Sequence, residues 1–182
     1  MSIIYKFLPF IKTGLISNSW REQLNKGINF KFKDNSIFLV RDLCEKDIDR
    51  ILKLEQKIFT DPWPKPAFQT EIENQESCLD IVGIIDNKII AYAISQFVFD
   101  ELHIYNLAVD SLYRGKGYGK TLVWLMLEIA LRCDIKVCHL EVRRSNFSAI
   151  SLYEQFGFQI VGIRKKYYIK ENEDALLMTL LI

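Results

Sequence analysis

From Ser36 onward the hydrophobic positions fall into short, well-punctuated runs. Residues 37–41 are an apolar, β-branched run that predicts a strand. Asp47 stands where a helix would be capped. After it Ile48, Ile51, Leu52, Leu54 and Ile58 recur at helical spacing. The segment Asp61-Pro62-Trp63-Pro64-Lys65-Pro66 holds three of the chain's four prolines and predicts a loop, followed by a short helix over about 67–74. Strands over 79–85 and 88–99 flank Asp86-Asn87, a turn in which Asn tolerates a positive φ. A further strand is expected over 102–109. A helix over 121–132 then shows Leu122, Leu125, Met126, Ile129 and Ala130 on one face. A strand over 137–142 and a helix over 146–156 follow, the latter closed by Gly157. Strands over 158–164 and 175–181 complete the pattern. The order is β-α-α-β-β-β-α-β-α-β-β. It predicts an α/β (α+β) chain whose mixed, mostly antiparallel sheet carries helices on both faces.

The first 35 residues break this pattern. They carry six basic residues against two acidic ones, a balance of +4, which leaves −3 for residues 36–182. The reading is a basic N-terminal extension over 1–35, partly ordered, ahead of a domain over 36–182. Such an arm could touch an acidic or RNA-containing partner. The apolar stretch at 3–11 is broken by Lys6 and Pro9. It is too short to span a bilayer and lacks the features of a leader. At 182 residues, 49% apolar and 26% charged, the chain reads as one globular domain with an appendage. A net charge of +1 argues against a DNA binder. Cysteines 44, 78, 133 and 138 form no Cys-x-x-Cys pair. They read as free, mostly buried thiols in a reducing, cytoplasmic setting. The cluster Cys133, Cys138 and His139 fits no zinc spacing, so no metal is expected.

Three stretches carry chemistry. The first is Arg114-Gly115-Lys116-Gly117-Tyr118-Gly119-Lys120, between a strand and a helix. Glycine lets the main chain approach a phosphate closely, and a helix start aims N–H groups at it. The spacing is neither a Walker loop nor a dinucleotide fingerprint. It fits Gln/Arg-x-x-Gly-x-Gly/Ala, a pattern that a plain glycine turn also satisfies. The second is Leu140-Glu141-Val142-Arg143-Arg144-Ser145-Asn146. Here Glu141 lies near the end of a strand, on the face of Val137 and His139. Alone, Glu141 could be a salt-bridged surface residue, Arg143 and Arg144 a solvated edge, and Asn146 a helix cap. The third is the stretch from Ala149 to Phe158, in whose helical part Tyr153 shares a stripe with Ala149, Leu152 and Phe156. Alone, Tyr153 could be a core aromatic.

Taken together and in this order, these stretches resemble the GNAT acetyltransferase family over roughly residues 36–182. Asn106-Leu107-Ala108-Val109-Asp110 shares in this likeness; Leu140-Glu141-Val142-Arg143-x-Ser145-Asn146, Arg164-x-x-Tyr167-Tyr168 followed by Glu173-Asp174-Ala175, and Pro62-Trp63 are similar in particular to its ribosomal-protein-alanine N-acetyltransferases. The resemblance implies the GNAT fold and acetyl-CoA as co-substrate. It implies that the main chain at Leu107, Ala108 and Val109 pairs with the pantetheine arm. The main-chain N–H groups of Gly115, Lys116, Gly117, Tyr118, Gly119 and Lys120 would cradle the pyrophosphate, Arg114 would be a further cofactor contact, and Asn146 would fix the cofactor near its thioester. Glu141 matches the family's proton acceptor and Tyr153 its donor to the leaving thiolate. Glu101 and His103 are the other candidate bases. Trp63, Tyr167 and Tyr168 could line the acceptor groove or simply pack. The implied acceptor is the N-terminal α-amine of a protein, a small-subunit ribosomal protein with N-terminal alanine. Two alternatives stay open: an acetyltransferase for lysine side chains or small amines, and a non-catalytic acetyl-CoA-binding sensor. The extension over 1–35 departs from the family pattern.

Overall fold

The computed structural model describes residues 20–182. The stretch at 3–11, with Lys6 and Lys12, lies outside the described residues. In chain order the elements are α1 (Trp20–Lys26), β1 (Ile28–Lys31), β2 (Ile37–Asp42), α2 (Ile48–Ile58), α3 (Lys65–Glu73), β3 (Ile81–Ile85), β4 (Lys88–Val98), β5 (Glu101–Val109), α4 (Tyr118–Arg132), β6 (Val137–Arg143), α5 (Phe147–Gln155), β7 (Gln159–Tyr168) and β8 (Glu173–Leu181). From residue 36 on, the order matches the sequence pattern. One eight-stranded sheet runs β1-β2-β3-β4-β5-β6-β8-β7. All neighbours are antiparallel except β5 and β6.

Helices cover both faces because β4 alternates its side chains. Tyr92 and Ile94 point to a cluster with Ile48, Ile51 and Leu54 of α2 and Phe68 of α3. Ala91 and Ala93 point to the larger cluster built on α4, whose residues 122–127 are all buried. The β3–β4 turn has Asp86 and Asn87 at φ 47° and 61°, the left-handed pair that a two-residue hairpin requires.

The boundary expected at residue 36 does not divide the structure. Residues 20–31 form α1 and β1, and β1 adds a strand to the sheet edge by pairing with β2. Leu24, Ile28 and Phe30 are buried in the α4 cluster, and Phe30 meets Trp124 edge-on at 6.2 Å. The segment was illegible because it is short and basic. Its apolar residues are spaced for a seven-residue helix and a four-residue strand, too little for periodicity to register.

Asp47 also departs from expectation. It stands at the start of α2, but its side chain caps nothing there. Its two oxygens accept from Arg41 Nη1 and Nη2 at 2.6 and 2.8 Å, and Oδ2 also accepts from the Cys44 N–H. The residue is 1% exposed, so the bidentate pair compensates a buried charge rather than a helix end. Of the four free cysteines, Cys78 and Cys138 are buried, Cys44 is half-buried and Cys133 is exposed.

The sheet opens at its centre. Ser95 faces Ile104 and Ile94 faces Asn106, so Tyr105 is the extra residue of a β-bulge. A bulge bends its strand. The parallel pairing of β5 with β6 ends there, at Ile104 opposite Leu140. Beyond it residues 105–109 and 141–143 diverge, leaving the backbone edge of β5 open.

Candidate active site

A cleft of about 160 Å³ fills this divergence. Its walls come from β5 (Ile104 to Leu107), β6 (Glu141 to Arg143), the start of α5 (Asn146, Ala149, Tyr153), α2 with its following loop (Glu55, Phe59, Asp61, Trp63) and the end of β7 with its turn (Tyr168, Glu171).

Glu141 and Tyr153 both line it. An Oε1 of Glu141 accepts from Arg164 Nη1 at 3.0 Å, and the Tyr167 phenol also donates to its carboxylate. Tyr153 is 6% exposed, and burial pushes its phenol well above its ordinary value. It therefore keeps its proton through the neutral range. Glu101 and His103 lie elsewhere. They sit where β5 and β6 are still paired, with Glu101 Oε2 at 2.8 Å from His103 Nε2 and 3.6 Å from His139 Nε2.

Asn146 caps α5, its Oδ1 accepting from the Ala149 N–H at 3.3 Å and the Ser148 hydroxyl at 3.1 Å. Asn146 is also part of the cleft lining. Ser145 is tied to β8 through Glu173, which accepts from both its N–H and its hydroxyl. This fixes the β6–α5 corner that carries Asn146.

The glycine stretch forms the N-terminus of α4. Gly117 is the N-cap, at φ 97°, and Gly115 has φ 76°; both are left-handed positions that side chains rarely adopt. A Cβ on Gly119 would stand 3.3 Å from Val109 and 3.7 Å from Leu152. Glycine there lets the helix start close against β5. The first bond into the helix runs from Thr121 N–H to Gly117 carbonyl, so the N–H groups of residues 118–120 precede the ladder and face outward. Backbone donors at a helix start form an anion site.

The side chains of this stretch do not all turn toward it. Tyr118, expected among the cofactor contacts, is 3% exposed and stacked on Phe32 and Phe38 at 4.7 and 4.8 Å. Only its backbone can serve. Arg114 folds back, its Nε donating to the Val109 carbonyl at 3.0 Å. Lys120 reaches Gln155, and Lys116 lies over the Tyr113 ring.

Trp63 lines the cleft and packs on Phe68 at 5.6 Å. Tyr168 lines it beneath Arg143, and burial pushes its phenol up to about 12. Tyr167 is 40% exposed and stacked under Arg164, at the rim rather than in the wall.

One residue was missed. Glu55 is fully buried, and its oxygens accept from Asn106 Nδ2 at 2.9 Å and the Trp63 N–H at 2.7 Å. Burial pushes its carboxyl above the ordinary range, against the pull of those two bonds. The signal was present, because Glu55 follows Ile51 by four and precedes Ile58 by three, a charge within the apolar stripe.

The family model for GNAT acetyltransferases matches residues 48–158, more than half the chain. The chain belongs to the GNAT acetyltransferase family. Among its GNAT relatives is the ribosomal protein bS18-alanine N-acetyltransferase of Haemophilus influenzae. It is 39% identical over 136 residues, spanning 72% of this chain and 90% of the relative. The enzyme of the same name from Escherichia coli K12 is 35% identical over 144 residues, 78% of this chain and 95% of that one. The crystal structure of the Escherichia coli ribosomal-protein-S18-alanine N-acetyltransferase superposes with TM-score 0.74 at 33% identity, covering 80% of this chain and 94% of that one. The GNAT fold expected from the motifs is the fold observed.

Proposed function

We propose that this chain moves the acetyl group of acetyl-CoA to the α-amine of a protein N-terminus, and that its acceptor is the N-terminal alanine of a bS18-like ribosomal protein. The observation that carries the reading is the cleft itself: an open strand edge, an anion site at its head, and Glu141, Tyr153 and Glu55 around its middle. The named relatives support the acceptor. Such an acceptor is met in the cytoplasm.

The donor fits the residues present. Its pantetheine amides would pair with the open main chain at Leu107, Ala108 and Val109, as an added strand does. Its pyrophosphate would sit on the N–H groups at residues 117–120, and the amide of Asn146 would reach the thioester. The acceptor wall is acidic. Glu55, Asp61, Glu141 and Glu171 line it, and Lys170, Arg164 and Arg143 pair with Asp61, Glu141 and Glu171, which leaves one carboxylate more than cations. An ammonium group is attracted there. The Asp61–Lys170 ion pair, 2.6 Å, joins the loops on either side of the mouth.

An α-amine of pKa about 8 is largely protonated at neutral pH and must lose a proton before it can attack. Glu141 accepts that proton, directly or through a water, while Glu55, buried behind the opposite wall, holds Asn106 and the Trp63 main chain in place for the acceptor. The amine nitrogen attacks the thioester carbonyl, the C–S bond breaks, and Tyr153 gives its phenolic proton to the thiolate. No cysteine lines the cleft, so the transfer is direct.

A panel of peptides tests this. Peptides with free Ala, Ser, Gly or Met N-termini are compared with N-terminally blocked, lysine-containing ones and with polyamines, read by mass and by thiol release. Acetylation of the Ala α-amine is expected. Acetylation of lysine or polyamine alone would move the activity to small amines. Acetyl-CoA binding without turnover on any acceptor would leave a sensor.

A further inference from the structure

Apart from the cleft, four elements converge on a second, smaller cavity of about 10 Å³. That is the room of one water or one ion. Asp42 closes β2, Cys78 and Asp80 lead into β3, Arg21 comes from α1 and Ile72 from α3; Glu71 of α3 stands next to this lining, against Cys78. Glu71 Oε2 lies 3.1 Å from Cys78 Sγ, and one ligand atom each from Glu71, Cys78 and Asp80 lie within 4.8 Å of one another.

The donor atoms are underused. Asp80 is only 8% exposed, and its Oδ1 accepts from the Ser95 N–H at 2.9 Å. Its Oδ2 is buried with no partner among the described residues, as is Oδ1 of Asp42. Both aspartates line the small cavity beside Cys78. A buried acceptor left unmatched costs about 1–3 kcal/mol, and more for a charged group. Two guanidinium groups stand near, and neither satisfies the free oxygens. Arg41 is committed to Asp47 and the Asp42 carbonyl. Arg21 is turned to the Cys78 main chain, spending Nη2 on its carbonyl at 2.7 Å, and stays 3.7 Å from Asp42.

We propose that Glu71, Cys78 and Asp80, with Asp42 as the fourth donor, form a site for a divalent transition metal of the zinc class. One thiolate with hard oxygen donors suits such a borderline ion better than calcium or magnesium, which take oxygen alone. Tetrahedral bonds of about 2.3 Å to sulfur and 2.0 Å to oxygen put those ligand atoms about 3.5 Å apart. The 3.1 Å between Glu71 and Cys78 is near that spacing already. On binding, the Cys78 S–H bond breaks, its proton leaves to solvent, and a sulfur–metal bond replaces it. The ion would pin α3 to the sheet edge and so brace the loop that carries Trp63 into the cleft.

The probe is Co²⁺ added to the reduced full-length protein, followed by Zn²⁺ competition. The site predicts one equivalent bound, a thiolate-to-cobalt charge-transfer band in the near ultraviolet, its loss on adding Zn²⁺, and a raised Tm. Cys78→Ser should abolish the band, and Asp80→Asn should weaken Co²⁺ binding about tenfold or more. Cys133→Ser, which alters the exposed thiol, should change neither. Should the buried variants fail to fold, Glu71→Gln on the half-exposed face of α3 gives the same test, with weakened binding and normal circular dichroism. No band with the wild-type protein overturns the site, leaving Asp42 and Asp80 to share a proton or a water. A band that survives Cys78→Ser or disappears in Cys133→Ser overturns it too.

Discussion

Glu141→Gln removes the negative charge of the proposed base and keeps its shape. The cost to the fold is small. The Arg164 side chain that pairs with Glu141 is 59% exposed and Glu141 is 29% exposed; exposed pairs contribute about 0–1 kcal/mol. A positioned proton acceptor contributes about 10²–10⁴-fold. At 1.36 kcal/mol per decade that is about 2.7–5.4 kcal/mol of barrier. The kinetic loss therefore exceeds anything the ion pair can cause. The assay is thiol release with an Ala-initiated peptide, read as kcat/KM from pH 6 to 9. At pH 7 only about a tenth of an amine with pKa about 8 is neutral, so the deficit is large there and narrows as pH rises toward 9. Glu101→Gln serves as the control, since Glu101 is tied to two histidines outside the cleft; its rate should stay within a few-fold of wild type. Glu55→Gln should raise the peptide KM more than it lowers kcat. The reasoning fails if Glu141→Gln stays within about threefold of wild type at pH 7. A full loss in Glu55→Gln instead would transfer the base to α2.

Tyr153→Phe keeps the buried ring and removes only the phenolic proton. Acetyl-CoA affinity by calorimetry should be unchanged, while kcat falls about 10²-fold or more with chemistry rate-limiting. Gly117→Glu forces a side chain to φ 97° and aims a carboxylate at the anion site, so acetyl-CoA should bind at least tenfold more weakly, by about 1.4 kcal/mol. Deleting residues 1–35 strips Leu24, Ile28 and Phe30 from the core. At about 1.5–3 kcal/mol each this approaches a typical domain's whole stability, and thermal scans should show a much lower Tm or no cooperative transition. Burial pushes the Asp47 carboxyl up, but the bonds from Arg41 and Cys44 outweigh it and hold it below its ordinary 3.8. The pair's contribution is thus complete above about pH 3.8 and is lost as pH falls through the folded value. Asp47→Asn strands Arg41 and should cost about 3–5 kcal/mol in urea unfolding at neutral pH.

The parts of this fold that the sequence announced share one property: each repeats a local rule several times within a short window. Ile48, Ile51, Leu54 and Ile58 fix α2, the run 122–130 fixes α4, and Asp86-Asn87 fixes the hairpin, because helical period and turn chemistry act between near neighbours. The head of the cleft was legible for the same reason, since Gly115, Gly117 and Gly119 signal a backbone that must turn left-handed or pass close to a neighbour. What stayed hidden depends on partners far along the chain. Glu55 reads as one more polar residue of α2 until Asn106 and the Trp63 N–H close on it from 51 and 8 residues away. The fate of Tyr118 was decided by Phe32 and Phe38, which β1 and β2 deliver to it. Its main chain was the part read into the glycine loop; its ring packs between Phe32 and Phe38, a contact no local pattern announces. The same dependence explains why the N-terminal segment was set apart. A four-residue strand has no periodicity to show, and what holds it is pairing with β2 and the fit of Phe30 against Trp124, 94 residues on. That fit ties the segment to α4, the helix whose first turn carries the anion site. A truncation that spares every motif residue would therefore still disturb the proposed acetyl-CoA cradle, through a contact that no motif contains.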